Sequence, residues 1–124
     1  MQIHEAAENY LECILMLQKE KGQVRSIDIA NRLGVTKPTV SYTMKQFRQN
    51  GYIQVDAGGH ITLTEKALPI AERMFERHHV IARILMALGV GEETAYQDAC
   101  KIEHDLSEES FARMKAHYRT QIEE

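Results

Sequence analysis

The chain has 124 residues, 44% of them hydrophobic and 27% charged, and a formal net charge of −3. That length fits one compact domain or two small units sharing a core, and no apolar run approaches the ~20 residues needed to cross a bilayer. Two cysteines, Cys13 and Cys100, are too few for a disulfide framework, and Met1-Gln2-Ile3-His4-Glu5 lacks the basic and apolar regions of a secretory leader. A reducing, cytoplasmic location and no membrane partner are expected.

The opening segment, roughly 4–21, places Ala7, Leu11, Ile14, Leu15 and Leu17 on one helical stripe, and Gly22 ends it. Ser26 suits the start of a short helix from Ile27 to Leu33, closed by Gly34. Thr36 is placed to cap the next helix, with Pro38 tolerated in its first turn. Val40, Met44 and Phe47 form the inward stripe of that helix, and Asn50-Gly51 stops it. Period-two alternation over Tyr52-Ile53-Gln54-Val55 and His60-Ile61-Thr62-Leu63, around Gly58-Gly59, predicts a β-hairpin. A long helix is expected from Thr64-Glu65 to about Leu88, with Pro69 early in it and Gly89-Val90-Gly91 breaking it. Another should cover about Glu92 to Asp105, and Ser107 caps a last one. The expected fold class is mainly α: an N-terminal winged helix-turn-helix (three helices plus a β-hairpin) over residues 1–64, then a helical domain over residues 65–124.

In a winged helix-turn-helix the second helix of the motif enters the DNA major groove. Removing the inward stripe leaves Lys37, Pro38, Thr39, Ser41, Tyr42 and Lys45 facing outward. Hydroxyls and Lys serve phosphates and base edges, and Pro or Tyr can meet thymine methyls. Arg48 and the wing residue His60 suit phosphate contacts. The charge is also unevenly distributed. Residues 1–64 hold seven Lys/Arg against six Asp/Glu, whereas residues 65–124 hold eight against twelve. Within 25–50, Arg25, Arg32, Lys37, Lys45 and Arg48 face only Asp28. Solvated helices vary as much, so the adjacent hairpin and the local basic charge together carry the expectation of double-stranded DNA as partner.

Cys100, Glu103 and His104 stand at i, i+3 and i+4, so on a helix they share one face. Thiolate, carboxylate and imidazole make half a shell for a divalent transition metal. A buried Cys beside a solvated Glu-His pair accounts for the segment equally well. Cys13 reads as packing, Glu8 as a solvated helix-face residue and His79 as an interface histidine.

Along essentially its whole length the chain resembles the diphtheria toxin repressor family of metal-dependent transcriptional regulators, with its iron-dependent and manganese-transport branches. The carriers are Ala7-Glu8-Asn9-Tyr10-Leu11-Glu12, Val35-Thr36-Lys37-Pro38-Thr39-Val40-Ser41, the pair Arg77-His78, and Ala99-Cys100-Lys101-Ile102-Glu103-His104-Asp105-Leu106-Ser107. The resemblance is to a short two-domain form and implies a homodimer, with the helical half serving metal binding and dimerisation. It implies Asn9, Glu12, His78, Cys100, Glu103 and His104 as metal ligands.

The sequence mixes the two branches. The manganese branch has Asp where Asn9 stands and Glu where Cys100 stands, and the iron branch has Met and Cys there. A second iron-branch site would want a carboxylate and an imidazole where Ala82 and Tyr96 occur. The thiol of Cys100 tilts the expected cofactor to Fe²⁺ over Mn²⁺, with Zn²⁺, Co²⁺ or Ni²⁺ accepted in vitro. One ion, or two bridged by Glu12 and Glu103, both fit. The implied function is repression of metal-uptake genes at a palindromic operator, without enzymatic activity. The alternatives are a winged-helix regulator indifferent to metal and a small metalloenzyme, the latter short of a recognisable general base and of chain for a substrate pocket.

Overall fold

Leu11, Ile14, Leu15 and Leu17 recur on one side of helix α1 (Glu5–Lys21), and all four are buried. The computed structural model describes residues 3–123, and its chain divides into two units, Met1–Arg73 and Met74–Glu124. In the first unit α1 is followed by α2 (Ser26–Leu33), α3 (Lys37–Gln49), β1 (Ile53–Val55) and β2 (Ile61–Leu63). Helix α1 packs on α2 and on β2, while α3 packs on α2 and on β1. This is the winged helix-turn-helix arrangement.

The helix ends follow from local chemistry. Ser26 is the first residue of α2 rather than its cap. The third helical residue, Asp28, reaches back to the N-cap, its carboxylate accepting from the Arg25 backbone N–H at 2.9 Å. Gly34 closes α2 in the left-handed region (φ +67°), where a side chain would be strained, and its N–H returns to the Ala30 carbonyl at 2.9 Å. Thr36 caps α3 as expected, its hydroxyl accepting from the Thr39 N–H at 3.3 Å, with Pro38 in the first turn.

Val40, Met44 and Phe47 of α3 are buried, and the Phe47 ring meets Tyr10 and Tyr52 edge-on, with centroids 6.2 and 6.1 Å apart. The hairpin is antiparallel, pairing Ile53 with Leu63, Gln54 with Thr62 and Val55 with Ile61. Its tip turns at Gly59 (φ +82°), with the Gly59 N–H on the Asp56 carbonyl at 3.0 Å. The Ile61 N–H also reaches the Val24 carbonyl at 2.7 Å, tying the wing to the α1–α2 connection.

Helix α4 (Leu68–Ala87) starts later than the sequence suggested. Thr64 is drawn instead into the first unit, its hydroxyl donating to the Gly51 carbonyl at 2.6 Å, and residues 65–67 form a turn. Pro69 then falls in the first helical turn, where its missing N–H costs nothing. In the second unit α5 (Glu92–Ile102) and α6 (Glu108–His117) follow, and α6 runs into a π-helical segment, Tyr118–Glu123. Ser107 caps α6, its hydroxyl accepting from the Ser110 N–H at 3.0 Å. Ile81, Ala82, Ala95 and Ala99 form the buried centre of this unit, with Leu85, Met86, Ile102, Leu106 and Met114 packed on it.

The expected helix to Asp105 ends at Ile102, because the Asp105 N–H closes a turn on the Ile102 carbonyl at 3.0 Å ahead of the Ser107 cap. Among the described residues no helix is long and apolar enough to cross a membrane. Phe47→Ala is expected to destabilise the first unit by about 3–5 kcal/mol and Thr36→Ala by about 1 kcal/mol, checked by urea denaturation.

Candidate functional site

Two sets of side chains carry chemistry, one in each unit. In the first, Lys37, Pro38, Thr39, Ser41, Tyr42, Lys45 and Arg48 are all exposed on α3, and Tyr42 is 67% exposed. Part of the basic segment is spent internally: Arg32 bonds Glu20 and Lys21 bonds Asp28, each at 2.6 Å. The Arg32 hydrogen bond holds the Glu20 carboxyl below its ordinary range, and Lys21 does the same for Asp28. Among the described residues, Lys37, Lys45 and Arg48 have no ion-pair partner. Thr39 is partly engaged, its hydroxyl 2.8 Å from that of Thr36.

His60 is half-buried beside an anion, its Nδ1 3.2 Å from Asp56 Oδ2. The backbone N–H of His60 and then its ring hold the Asp56 carboxyl below the usual range. A groove of about 700 Å³ runs between the end of α3 and the hairpin, lined by Arg48, Gln54, Asp56, His60, Thr62 and Thr64. Gln54 and Thr62 also line it; they are the outward members of the period-two pattern, and they pair across the hairpin.

In the second unit the centre is Glu103, which is fully buried. His78 Nδ1 lies 2.9 Å from Glu103 Oε2, and His104 Nε2 lies 3.4 Å from Glu103 Oε1. The His104 side chain is 1% exposed. One carboxylate between two imidazoles is a donor set for a divalent first-row metal, so the residues fit such an ion.

Cys100 is exposed. The reason is the buried stripe of α5, Ala95, Ala99 and Glu103 at i, i+4 and i+8, which leaves Cys100 about 100° round the helix from Ala99. The structure thus reverses the bland expectation of a buried Cys and a solvated Glu-His pair. On α1, Glu12 is buried and Asn9 half-buried. Glu8 is not the solvated residue expected; its side chain is 13% exposed and pairs with Arg73 at 3.5 Å.

Arg77 went without a role in the sequence. It is buried, and its Nη1 donates to the carbonyls of Glu103 at 3.0 Å and Leu106 at 2.8 Å. The signal was a charged residue on the apolar stripe Met74, Arg77, Ile81. His79, placed at an interface by its sequence context, lies against Phe75 (centroids 4.4 Å apart) with Nδ1 3.3 Å from the Tyr96 hydroxyl. Burial, followed by His78 and Arg83, lowers its pKa.

Residues 2–61 match the iron dependent repressor N-terminal DNA binding domain, and residues 64–120 match the iron dependent repressor metal binding and dimerisation domain. The chain belongs to the diphtheria toxin repressor family of metal-dependent transcriptional regulators. It is 37% identical over 106 residues to the transcriptional regulator MntR of Escherichia coli, covering 86% of this chain and 68% of that protein. To an uncharacterised HTH-type regulator of Methanocaldococcus jannaschii it is 34% identical over 113 residues, covering 90% of each. Among solved structures, IdeR of T. acidophilum superimposes with a TM-score of 0.80 at 26% identity, covering 97% of this chain and 56% of that one. The chain spans about half the length of such solved structures.

The two thiols should differ sharply. Burial pushes Cys13 up to about 11, keeping it protonated and shielded, while Cys100 is exposed. In the metal-free protein a dithionitrobenzoate reagent at mildly alkaline pH should titrate Cys100 at once and Cys13 only on unfolding. Cys100→Ser should remove the fast phase.

Proposed function

We propose that the chain is a metal-activated repressor that binds a palindromic operator as a homodimer in the cytoplasm and controls metal-uptake genes, with no enzymatic activity. The observation that carries this reading is the buried Glu103 held between His78 and His104, in a chain whose other unit exposes a basic recognition helix. The proposed ligand set is Glu12, His78, Cys100, Glu103 and His104, with Asn9 offering a neutral oxygen, for one or two ions.

The ion is Fe²⁺ or Mn²⁺. A Cys100 thiolate in this set favours Fe²⁺, and its carboxylate and imidazole donors serve Mn²⁺ as well. When bound, the ion supplies a divalent charge that holds these donors together. The chain's own residues do the rest. Glu12 belongs to α1, the helix on which α2 and β2 pack, so ligation there ties metal occupancy to the placement of α3. A two-fold dimer presents two such helices to two half-sites, and their separation must match the DNA repeat. On α3, Lys37, Pro38, Thr39, Ser41, Tyr42 and Lys45 would face the groove, with Arg48 and His60 toward phosphate.

Glu103→Ala and His104→Ala should each remove metal-dependent binding to a palindromic metal-uptake promoter duplex, read by fluorescence anisotropy, while leaving a folded dimer. Full metal dependence in either variant would contradict the site. Lys37→Ala should weaken DNA binding without changing metal affinity in the free protein. With one Lys37–phosphate contact per protomer, the slope of log affinity against log salt falls by about two for the dimer.

A further inference from the structure

We propose that Arg77 is a positioning residue of the metal centre, bracing the turn that carries Glu103 and His104. This rests on the reading of His78, Glu103 and His104 as metal donors and adds a residue whose own hydrogen bonds go to backbone oxygens.

Arg77 is 5% exposed, and among the described residues no carboxylate pairs with it. Its guanidinium carbon lies 5.1 Å from the Phe111 ring centroid. A buried cation without a counter-ion is costly, and an apolar residue would serve packing on the stripe between Met74 and Ile81 better. The hydrogen bonds explain its presence. Helix α5 ends at Ile102, so the last carbonyls have no partner further along the helix. A single nitrogen of Arg77 takes the carbonyls of Glu103 and Leu106, which bracket the turn. Between them the backbone can place Glu103 inward at the end of the Ala95-Ala99 stripe and His104 next to it. The side-chain direction of both donors follows from that turn. Arg77 also precedes His78 on α4, so one helix delivers a donor and the brace for the other two.

The test uses the full chain with Arg77→Met, which keeps volume and loses the donors, and Arg77→Lys, which keeps charge and part of the donor set. Mn²⁺ affinity is measured by competition with a chromophoric chelator, and the geometry of the site by the visible spectrum of the Co²⁺-loaded protein. Circular dichroism and sedimentation report fold and dimer. The expected result is a folded R77M dimer that binds Mn²⁺ roughly 10–100-fold more weakly, the range for residues that orient metal ligands, with an altered Co²⁺ spectrum. R77K should fall between it and the wild type.

A folded R77M that melts earlier but keeps wild-type Mn²⁺ affinity and an unchanged Co²⁺ spectrum overturns the proposal and leaves Arg77 a purely structural role. If R77M does not fold, R77K decides: weakened Mn²⁺ binding with a changed spectrum supports the brace, and wild-type values overturn it. A wild-type chain that binds neither ion overturns the metal reading itself, an outcome distinct from any variant result.

Discussion

A carboxylate with no solvent exposure, set between two imidazoles, is the constraint on which the second unit is built. Taking a charge out of water costs several kcal/mol unless partners replace the lost hydration. Glu103 occupies the position where the Ala95-Ala99 stripe would next take an apolar residue, so packing alone does not ask for it. His78 from α4 and His104 from the turn stand on its two oxygens. The end of α5, the turn to Ser107 and the buried guanidinium of Arg77 hold that group in place. A second carboxylate, Glu12, is buried on α1, again where the surrounding stripe is apolar.

The first unit divides its polar groups between holding the fold and meeting a partner. Arg32, Lys21, Glu20 and Asp28 bond one another, and the Thr36 and Thr39 hydroxyls serve the start of α3. Lys37, Lys45 and Arg48 keep their charge outward, and Tyr42 stands in solvent. An exposed ring in the second turn of a capped helix and cations on its outer face are the side-chain types that the proposed DNA contacts call for. The wing differs, because Asp56 places an anion beside His60 and any approaching phosphate meets both.

The first unit was legible because its signals are local. Thr36 before Pro38, Gly34 at the turn, glycines at the hairpin tip and inward residues at helical spacing specify α2, α3 and the wing with little help from tertiary contacts. Boundaries were read less well where tertiary bonds override local preference. Thr64 serves Gly51 instead of opening α4, and Asp28 provides the first-turn contact that Ser26 was assigned. The ligand candidates were named by resemblance, but their placement was not in the spacing. The i, i+3, i+4 pattern puts Cys100, Glu103 and His104 on one face, whereas the stripe Ala95-Ala99-Glu103 decides which of them is buried. Arg77 stands out as a charge on an apolar stripe, but its role is not legible there, because its partners are main-chain oxygens far along the chain.

The most direct measurement is reciprocal linkage. Mn²⁺ affinity is determined for the protein free and bound to operator duplex, and duplex affinity with and without saturating Mn²⁺, all at one salt concentration. If the ion activates DNA binding, the DNA-affinity ratio must equal the product of the metal-affinity ratios over all ions on the dimer, and both must be well above one. A metal affinity indifferent to DNA, with DNA affinity indifferent to metal, would contradict the account and leave a winged-helix regulator whose carboxylate-imidazole cluster serves structure alone.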